Sequence, residues 1–252
     1  MNEKDLFDLF VTEAEKPFSG WDFSYVSDTG RMASEPMHWN YTSEILASIR
    51  KADSLLDMGT GGGEYLSKLQ PFPRSTFATE AYEPNVPIAR NRLEPLGVKV
   101  VEVNDDNHLP FDNDQFDLII NRHESYSVSE LYRILKPGHQ FITQQVGGKD
   151  HIDLNAALDA NEDNGYSYWN LNYAVQELER AGFNITKKME QFPYTRFYDI
   201  GALIYYLKAI PWQISDFTVP NYFDKLVQIH QHIQDKGFIE FKEHRFFIIA
   251  RK

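Results

Sequence analysis

The run Leu55-Leu56-Asp57-Met58-Gly59-Thr60-Gly61-Gly62-Gly63-Glu64 concentrates more chemistry than any other stretch of this 252-residue chain. An apolar pair ends in a carboxylate, a glycine turn follows at once, and Glu64–Leu69 then suits a helix. Open α/β sheets bind nucleotide-like ligands at such strand–turn–helix corners. Gly59 and Gly61 let the backbone turn sharply and approach a ligand without a Cβ in the way. A helix starting here adds unpaired N–H groups. The spacing selects among ligands. A dinucleotide fingerprint needs its third glycine at position 64, where this chain has Glu64, and it has no use for an acid at Asp57. A dehydrogenase is therefore disfavoured.

The pattern D-x-G-x-G-x-G resembles motif I of the class I S-adenosylmethionine-dependent methyltransferases, of the type 11 kind. That resemblance implies a loop of Asp57, Gly59, Thr60, Gly61 and Gly63 around the methionine part of S-adenosyl-L-methionine. It continues at successive strand ends. Phe77-Ala-Thr-Glu80-Ala81 places an acid where the family holds the ribose hydroxyls. Two hydroxyl donors facing two carboxylate oxygens make a charge-assisted pair. Glu83 competes, but its position at a helix entry suits a dipole role. Asn104-Asp105-Asp106-Asn107-His108-Leu109-Pro110-Phe111 resembles the family's acid-x-x-x-Leu-Pro-Phe stretch, which selects Asp105 for the adenine amino group. Asn121 ends the fourth strand of the cofactor site, and Leu131–Gly138 resembles the helix and turn that precede the fifth. The matches span roughly residues 40 to 147, in order.

The acceptor side is less determined. After Asn121 come Arg122-His123-Glu124-Ser125. An imidazole titrates near neutrality, so His123 suits a general base; equally, it suits a hydrogen bond to cofactor or loop. Arg122 suits a substrate carboxylate or phosphate, or an internal pair with Glu124 or Asp117, which is favoured. The branch that methylates exocyclic base amines carries Asn-Pro-Pro-aromatic here, and this chain has no Pro-Pro. Gln144-Gln145 stand where catechol-type enzymes place acidic metal ligands, and amides do not support magnesium. His230 and His232 cannot share a helix face. No metal is expected.

These residues need a frame. Strands are predicted at Ser54–Asp57, Thr76–Ala81, Val98–Val103, Phe116–Asn121 and Gln140–Val146, with helices at Glu64–Leu69, Pro84–Leu96 and Ser127–Leu135 between them. That alternation predicts an α/β fold: a Rossmann-like, mostly parallel sheet with helices on both faces. Tyr168–Ala181 continues as a helix, Asn184–Lys188 as the sixth strand and His244–Lys252 as the last. The resemblance implies seven strands, the final one antiparallel. Lys149–Gly165, with five acids against one lysine, reads as an exposed connection. Two aromatic-rich segments fall outside the pattern: the N-terminal stretch with Phe18, Trp21, Phe23 and Tyr25, and Phe192–Phe223. Both read as cover elements. Arg196, Tyr198 and Tyr205 are the expected polar tips in an otherwise apolar substrate wall. The expected organisation is a single domain: cover at 1–40, cofactor-binding core at 41–191, aromatic cover at 192–238 and final strand at 239–252.

A net charge of −12 opposes nucleic-acid binding, which needs cationic surface. There are no cysteines, hence no disulfide, thiolate site or cysteine nucleophile. No secretory signal or membrane span is visible, which gives the expectation of a cytoplasmic protein. The sequence thus predicts methyl transfer from S-adenosylmethionine to a small molecule. An RNA or protein methyltransferase and a non-catalytic S-adenosylmethionine-binding protein stand as alternatives. Oligomeric state is not readable.

Overall fold

The computed structural model describes residues 2–161 and 165–252. In chain order the elements are α1 (Glu3–Ala14), α2 (Ser24–Ser27), β1 (Met32–Ser34), α3 (Tyr41–Ile49), β2 (Ser54–Met58), β3 (Ser75–Glu80), α4 (Asn85–Leu93) and β4 (Lys99–Glu102). There follow β5 (Phe116–Arg122), α5 (Val128–Ile134), β6 (Leu135–Val146), α6 (Ile152–Ala157), α7 (Leu171–Arg180) and β7 (Asn184–Gln191). The chain closes with β8 (Tyr194–Phe197), α8 (Ile200–Ala209), α9 (Val219–Lys236), β9 (Ile239–Lys242) and β10 (Arg245–Arg251).

Seven strands form the main sheet in the order β4-β3-β2-β5-β6-β10-β7. Neighbours from β4 to β6 run parallel, and β10 is antiparallel to both β6 and β7. The central strand β2 is buried at every position, as a parallel strand covered on both faces must be. One face packs Leu56, Ile119, Phe141 and Phe246 against α5 and α7; the other packs Leu55, Leu118, Ile120 and Phe247 against α3 and α4. The chain leaves β2 towards β3 and β4, then returns to β5 on its other side. Ligands of open α/β sheets lie beyond the strand C-termini at that reversal, here the ends of β2 and β5.

The cover elements form a second body with its own core. β1, β8 and β9 make a small antiparallel sheet, and α1 packs on α8 and α9 around Phe10, Leu203, Phe217 and Leu226. Arg31 joins the N-terminal segment to the insert by donating to Asp199 at 2.6 and 2.8 Å and to Glu13 at 3.2 Å. Asp199 also caps α8 by accepting from Ala202 N–H at 2.9 Å. The two cover segments are therefore one unit.

Three expectations need correction. Residues 239–252 are not one strand: β9 pairs with β8 in the cover, and only β10 enters the main sheet. Glu64–Leu69 yields no more than a 3-10 turn at Leu66–Lys68. Lys149–Gly165 is not simply exposed. Asp150, His151, Leu154, Asn155 and Leu158 are buried, because α6 lays Leu154 and Leu158 into the cover core; positions 162–164 of that stretch lie outside the described residues. No helix among the described residues is long and apolar enough to cross a membrane.

Candidate active site

The glycine loop follows β2 with positive φ at Gly59 (66°), Gly61 (61°) and Gly63 (78°), a region that L side chains avoid. Space is as short as torsional freedom. A Cβ on Gly59 would run into Glu124, and one on Gly61 would lie 2.6 Å from Trp21 Cδ1. Glu124, just past the end of β5, and Trp21, from the cover, thus lie directly against the loop. Gly61 N–H donates to Glu80 Oε2 at 2.6 Å, and Tyr82 N–H donates to Glu80 Oε1 at 2.8 Å. Two backbone donors fix this carboxylate while leaving each oxygen a further lone pair. Burial nevertheless pushes the Glu80 carboxyl upward. Ala81, next along, is exposed.

Asp57 is buried below the loop, and burial pushes its carboxyl up to about 7 against the opposing pull of Thr60 and Arg122. The Thr60 hydroxyl is close enough to stabilise the Asp57 charge, yet it makes no hydrogen bond of good geometry. Asn121 is fully buried. Its Oδ1 accepts from Gln145 Nε2 at 2.7 Å and Thr143 Oγ1 at 3.1 Å, and its main-chain oxygen accepts from the Tyr41 hydroxyl at 3.1 Å. Asn121 Nδ2 is buried without a hydrogen-bond partner among the described residues. Asp105 follows the end of β4, with its side chain 52% exposed. His108 Nδ1 at 2.7 Å and Asn107 N–H at 2.9 Å hold its carboxyl below the usual range.

At the end of β5, His123 adopts φ 67° and breaks the strand's alternation. That break corrects the pairing expected of Arg122. Glu124 is turned onto Gly59, and Asp117, at the far end of the strand, is held by Lys136 at 2.8 Å and His139 at 3.3 Å. Arg122 instead lies 4.5 Å from the Tyr65 ring centroid and has no ion-pair partner among the described residues. His123 keeps an exposed face, although neighbouring segments crowd it from the other sides. That crowding holds its imidazole pKa well below the ordinary value, and the cations of Arg122 and Arg245 add to the effect. Its Nε2 lies 3.0 Å from Gln144 Nε2, and Gln144 Oε1 accepts from Trp39 Nε1 at 2.9 Å.

Two of the polar tips expected from the cover, Arg196 and Tyr205, have polar partners within it, and Tyr198 is exposed. Arg196 pairs with Glu240 at 2.7 Å and Glu35 at 3.8 Å, on the small sheet. Tyr198 lies beside Phe238, with ring centroids 6.1 Å apart. Tyr205 is only 3% exposed, packed on Phe18 and Tyr25, with its hydroxyl donating to Pro17 O at 3.4 Å. The cover residue that does reach the loop is Trp21, which meets Trp212 edge-on at 5.5 Å. Sequence reading gave no role to Trp39, Tyr65 and Gln144, whose parts in the site arise from contacts between distant segments. Among the described residues, no group of three or more His, Cys, Asp or Glu is disposed to hold a metal ion.

A cofactor with vicinal hydroxyls and a charged amino acid end fits these residues. Glu80 is a fixed acceptor, Thr60 Oγ1 and Asn121 Nδ2 are buried polar atoms without a hydrogen-bond partner among the described residues, and the glycines let the loop backbone pass close to Glu124 and Trp21. Fold and site together define a class I S-adenosylmethionine-dependent methyltransferase. The chain belongs to the methyltransferase domain family, whose profile matches residues 36–188. It is 26% identical over 140 residues to protein-L-isoaspartate O-methyltransferase 1 of Cupriavidus necator, a match covering 53% of this chain and 52% of that one. It is 30% identical over 96 residues to protein-L-isoaspartate O-methyltransferase 2 of Pelobacter propionicus, covering 38% and 42%. The chain therefore spans about half the length of the curated relatives it matches. Its fold is similar to that of a Bacillus halodurans C-125 protein assigned as a methyltransferase, with a TM-score of 0.58 at 20% identity, covering 83% of this chain and 99% of the other.

Proposed function

We propose that the chain methylates a small molecule held between the glycine loop and the aromatic cover. One observation carries this reading: Trp21 stands against Gly61 and meets Trp212, so both cover segments converge on the loop. S-adenosylmethionine, when bound, supplies an activated methyl on a sulfonium sulfur. In this reading Glu80 accepts from the ribose hydroxyls and Asp105 from the adenine amino group. Asp57, Gly59, Thr60, Gly61, Gly63, Ala81 and Asn121 surround the remainder. Arg122, stacked on Tyr65 and without an ion pair among the described residues, is the cation available to an anionic ligand group. The cover excludes water and orients the acceptor, which is the protein's main contribution where the cofactor carries the leaving group. The −12 charge argues against nucleic acid as the acceptor.

A protein acceptor is the second reading, favoured by the similarity to two protein-L-isoaspartate O-methyltransferases. Transfer of labelled methyl from S-adenosylmethionine separates the two. Label in a small-molecule extract and none in an isoaspartyl peptide is the expected result. Rapid labelling of that peptide would move the protein acceptor to first place.

A further inference from the structure

The Trp39–Gln144–His123 chain fixes where a proton sits. An indole N–H only donates, so the atom of Gln144 that faces Trp39 Nε1 at 2.9 Å is the amide oxygen. The amide NH2 then faces His123 Nε2 at 3.0 Å, and an NH2 group also only donates. His123 Nε2 must offer a lone pair. A neutral imidazole with one accepting nitrogen carries its proton on the other, which here is Nδ1. The parts of this chain are held firmly. Trp39 is buried and stacked on Phe247 with centroids 6.1 Å apart, and His123 N–H donates to Gln144 O at 2.8 Å. The charged groups facing the ring are Arg122 beside it and Arg245 on β10, and both oppose a second proton.

We propose that Trp39 and Gln144 are positioning residues that lock His123 as a neutral imidazole with its proton on Nδ1. His123 is then a hydrogen-bond donor to the ligand, not the group that takes a proton from it. No described residue accepts from Nδ1. The neighbouring guanidinium of Arg122 also lacks an ion pair among the described residues, so the ligand group that suits this pair of donors is a carboxylate. The choice of ligand rests on the methyltransferase reading of the site, whereas the proton position does not. A substrate that has to lose a proton loses it to another group.

The test is nitrogen NMR of the intact, ligand-free protein labelled at histidine. The His123 resonances should show Nδ1 protonated and Nε2 as a lone-pair nitrogen at neutral pH. The excess over the other tautomer should be about tenfold, the ratio one ordinary hydrogen bond sustains. Trp39→Phe frees the Gln144 amide to turn over, and the excess should collapse to a mixture. Gln144→Glu replaces the donor by an acceptor and should move the proton to Nε2. A proton on Nε2 in the wild-type protein, or an imidazolium at neutral pH, overturns the proposal without any variant. Acetate, added with S-adenosylhomocysteine present, should shift the Nδ1–H resonance where chloride does not; an equal response to both overturns the carboxylate assignment. Calorimetry with S-adenosylhomocysteine on the same sample reports on the methyltransferase reading separately. Failure of one is therefore distinguishable from failure of the other.

Discussion

The main sheet and the cover treat their charged groups in opposite ways. In the cover, Arg31 is taken by Asp199 and Glu13, and Arg196 by Glu240 and Glu35. At the C-terminal ends of β2 and β5, Asp57 is buried with its carboxyl pushed up to about 7, Arg122 lies over the Tyr65 ring and acts on Asp57 only through its field, without an ion pair among the described residues, and Thr60 Oγ1 and Asn121 Nδ2 have no hydrogen-bond partner among those residues. Unsatisfied buried polar groups are unfavourable unless something else meets them. Buried atoms without a partner among the described residues also occur in the cover, at His151 Nε2 and His230 Nδ1, so the contrast lies in the cations: Arg31 and Arg196 of the cover are paired, and Arg122 at the strand ends is not paired among those residues. Substitutions that act on one region and not on the other sharpen this contrast.

The largest effect is expected at Asp57. Its folded carboxyl is raised to about 7 from an unfolded value of about 3.9. The folded state therefore binds more protons than the unfolded state between these values, and stability falls as pH rises through that window. Asp57→Asn removes the share of this dependence that Asp57 contributes. Relative to the variant, the ligand-free wild type should lose up to about 4 kcal/mol between pH ~4 and ~7, at about 1.36 kcal/mol per unit. Denaturant unfolding of both proteins across that range checks it, and parallel curves would show that Asp57 is not held this way.

Glu80→Ala should weaken S-adenosylhomocysteine binding by about 1.5–3 kcal/mol, the contribution of hydrogen bonds to a charged group. Glu83 is exposed at the entry to α4, and Glu83→Ala should leave binding nearly unchanged. Calorimetry on the two variants compares them. An equal loss would mean that the ribose site is not at Glu80.

Two glycines with similar torsions separate the regions next. Gly61→Val and Gly30→Val each force a β-branched residue to positive φ, at 61° and 71°, a strain of about 1–3 kcal/mol. Gly30, in the cover, has nothing within 4 Å of an added Cβ, whereas Gly61 faces Trp21. Both variants should lower Tm, but only Gly61→Val should also abolish cofactor binding. The smallest effect is expected for Arg31→Ala. Its ion pairs are partly exposed, so the loss should be about 1 kcal/mol or less. Cofactor affinity should not change, and a loss of affinity would show that the cover's ion pairs are coupled to the strand ends.

The main sheet was legible because β2 and β5 hold short apolar runs, strand and helix patterns alternate, and each strand end carries its own local motif. The split between β9 and β10 was not. Ile239–Lys242 alternates weakly, and its partner β8 lies more than forty residues earlier in the chain. The Lys149–Gly165 stretch misled by composition, because its acids outnumber the few residues, Leu154 and Leu158 among them, that α6 buries. In the site, Asp57, Glu80 and Asn121 could be picked out because each lies at the end of a strand where the resemblance to class I methyltransferases implies a cofactor contact. The expected pairing of Arg122 with Glu124 or Asp117 failed because no local pattern announces a positive φ at His123. Trp39, Gln144 and His123 meet only in three dimensions, and their spacing in the sequence carries no sign of it.

Hydrogen exchange with and without S-adenosylhomocysteine tests the central claim, that the cover closes on the cofactor's reacting end. Added protection should appear at Gly59–Gly63 and at 80–82, and also at the segments around Trp21 and Trp212. Protection confined to residues 59–123 would contradict the account, leaving the cover as packing and the acceptor site elsewhere.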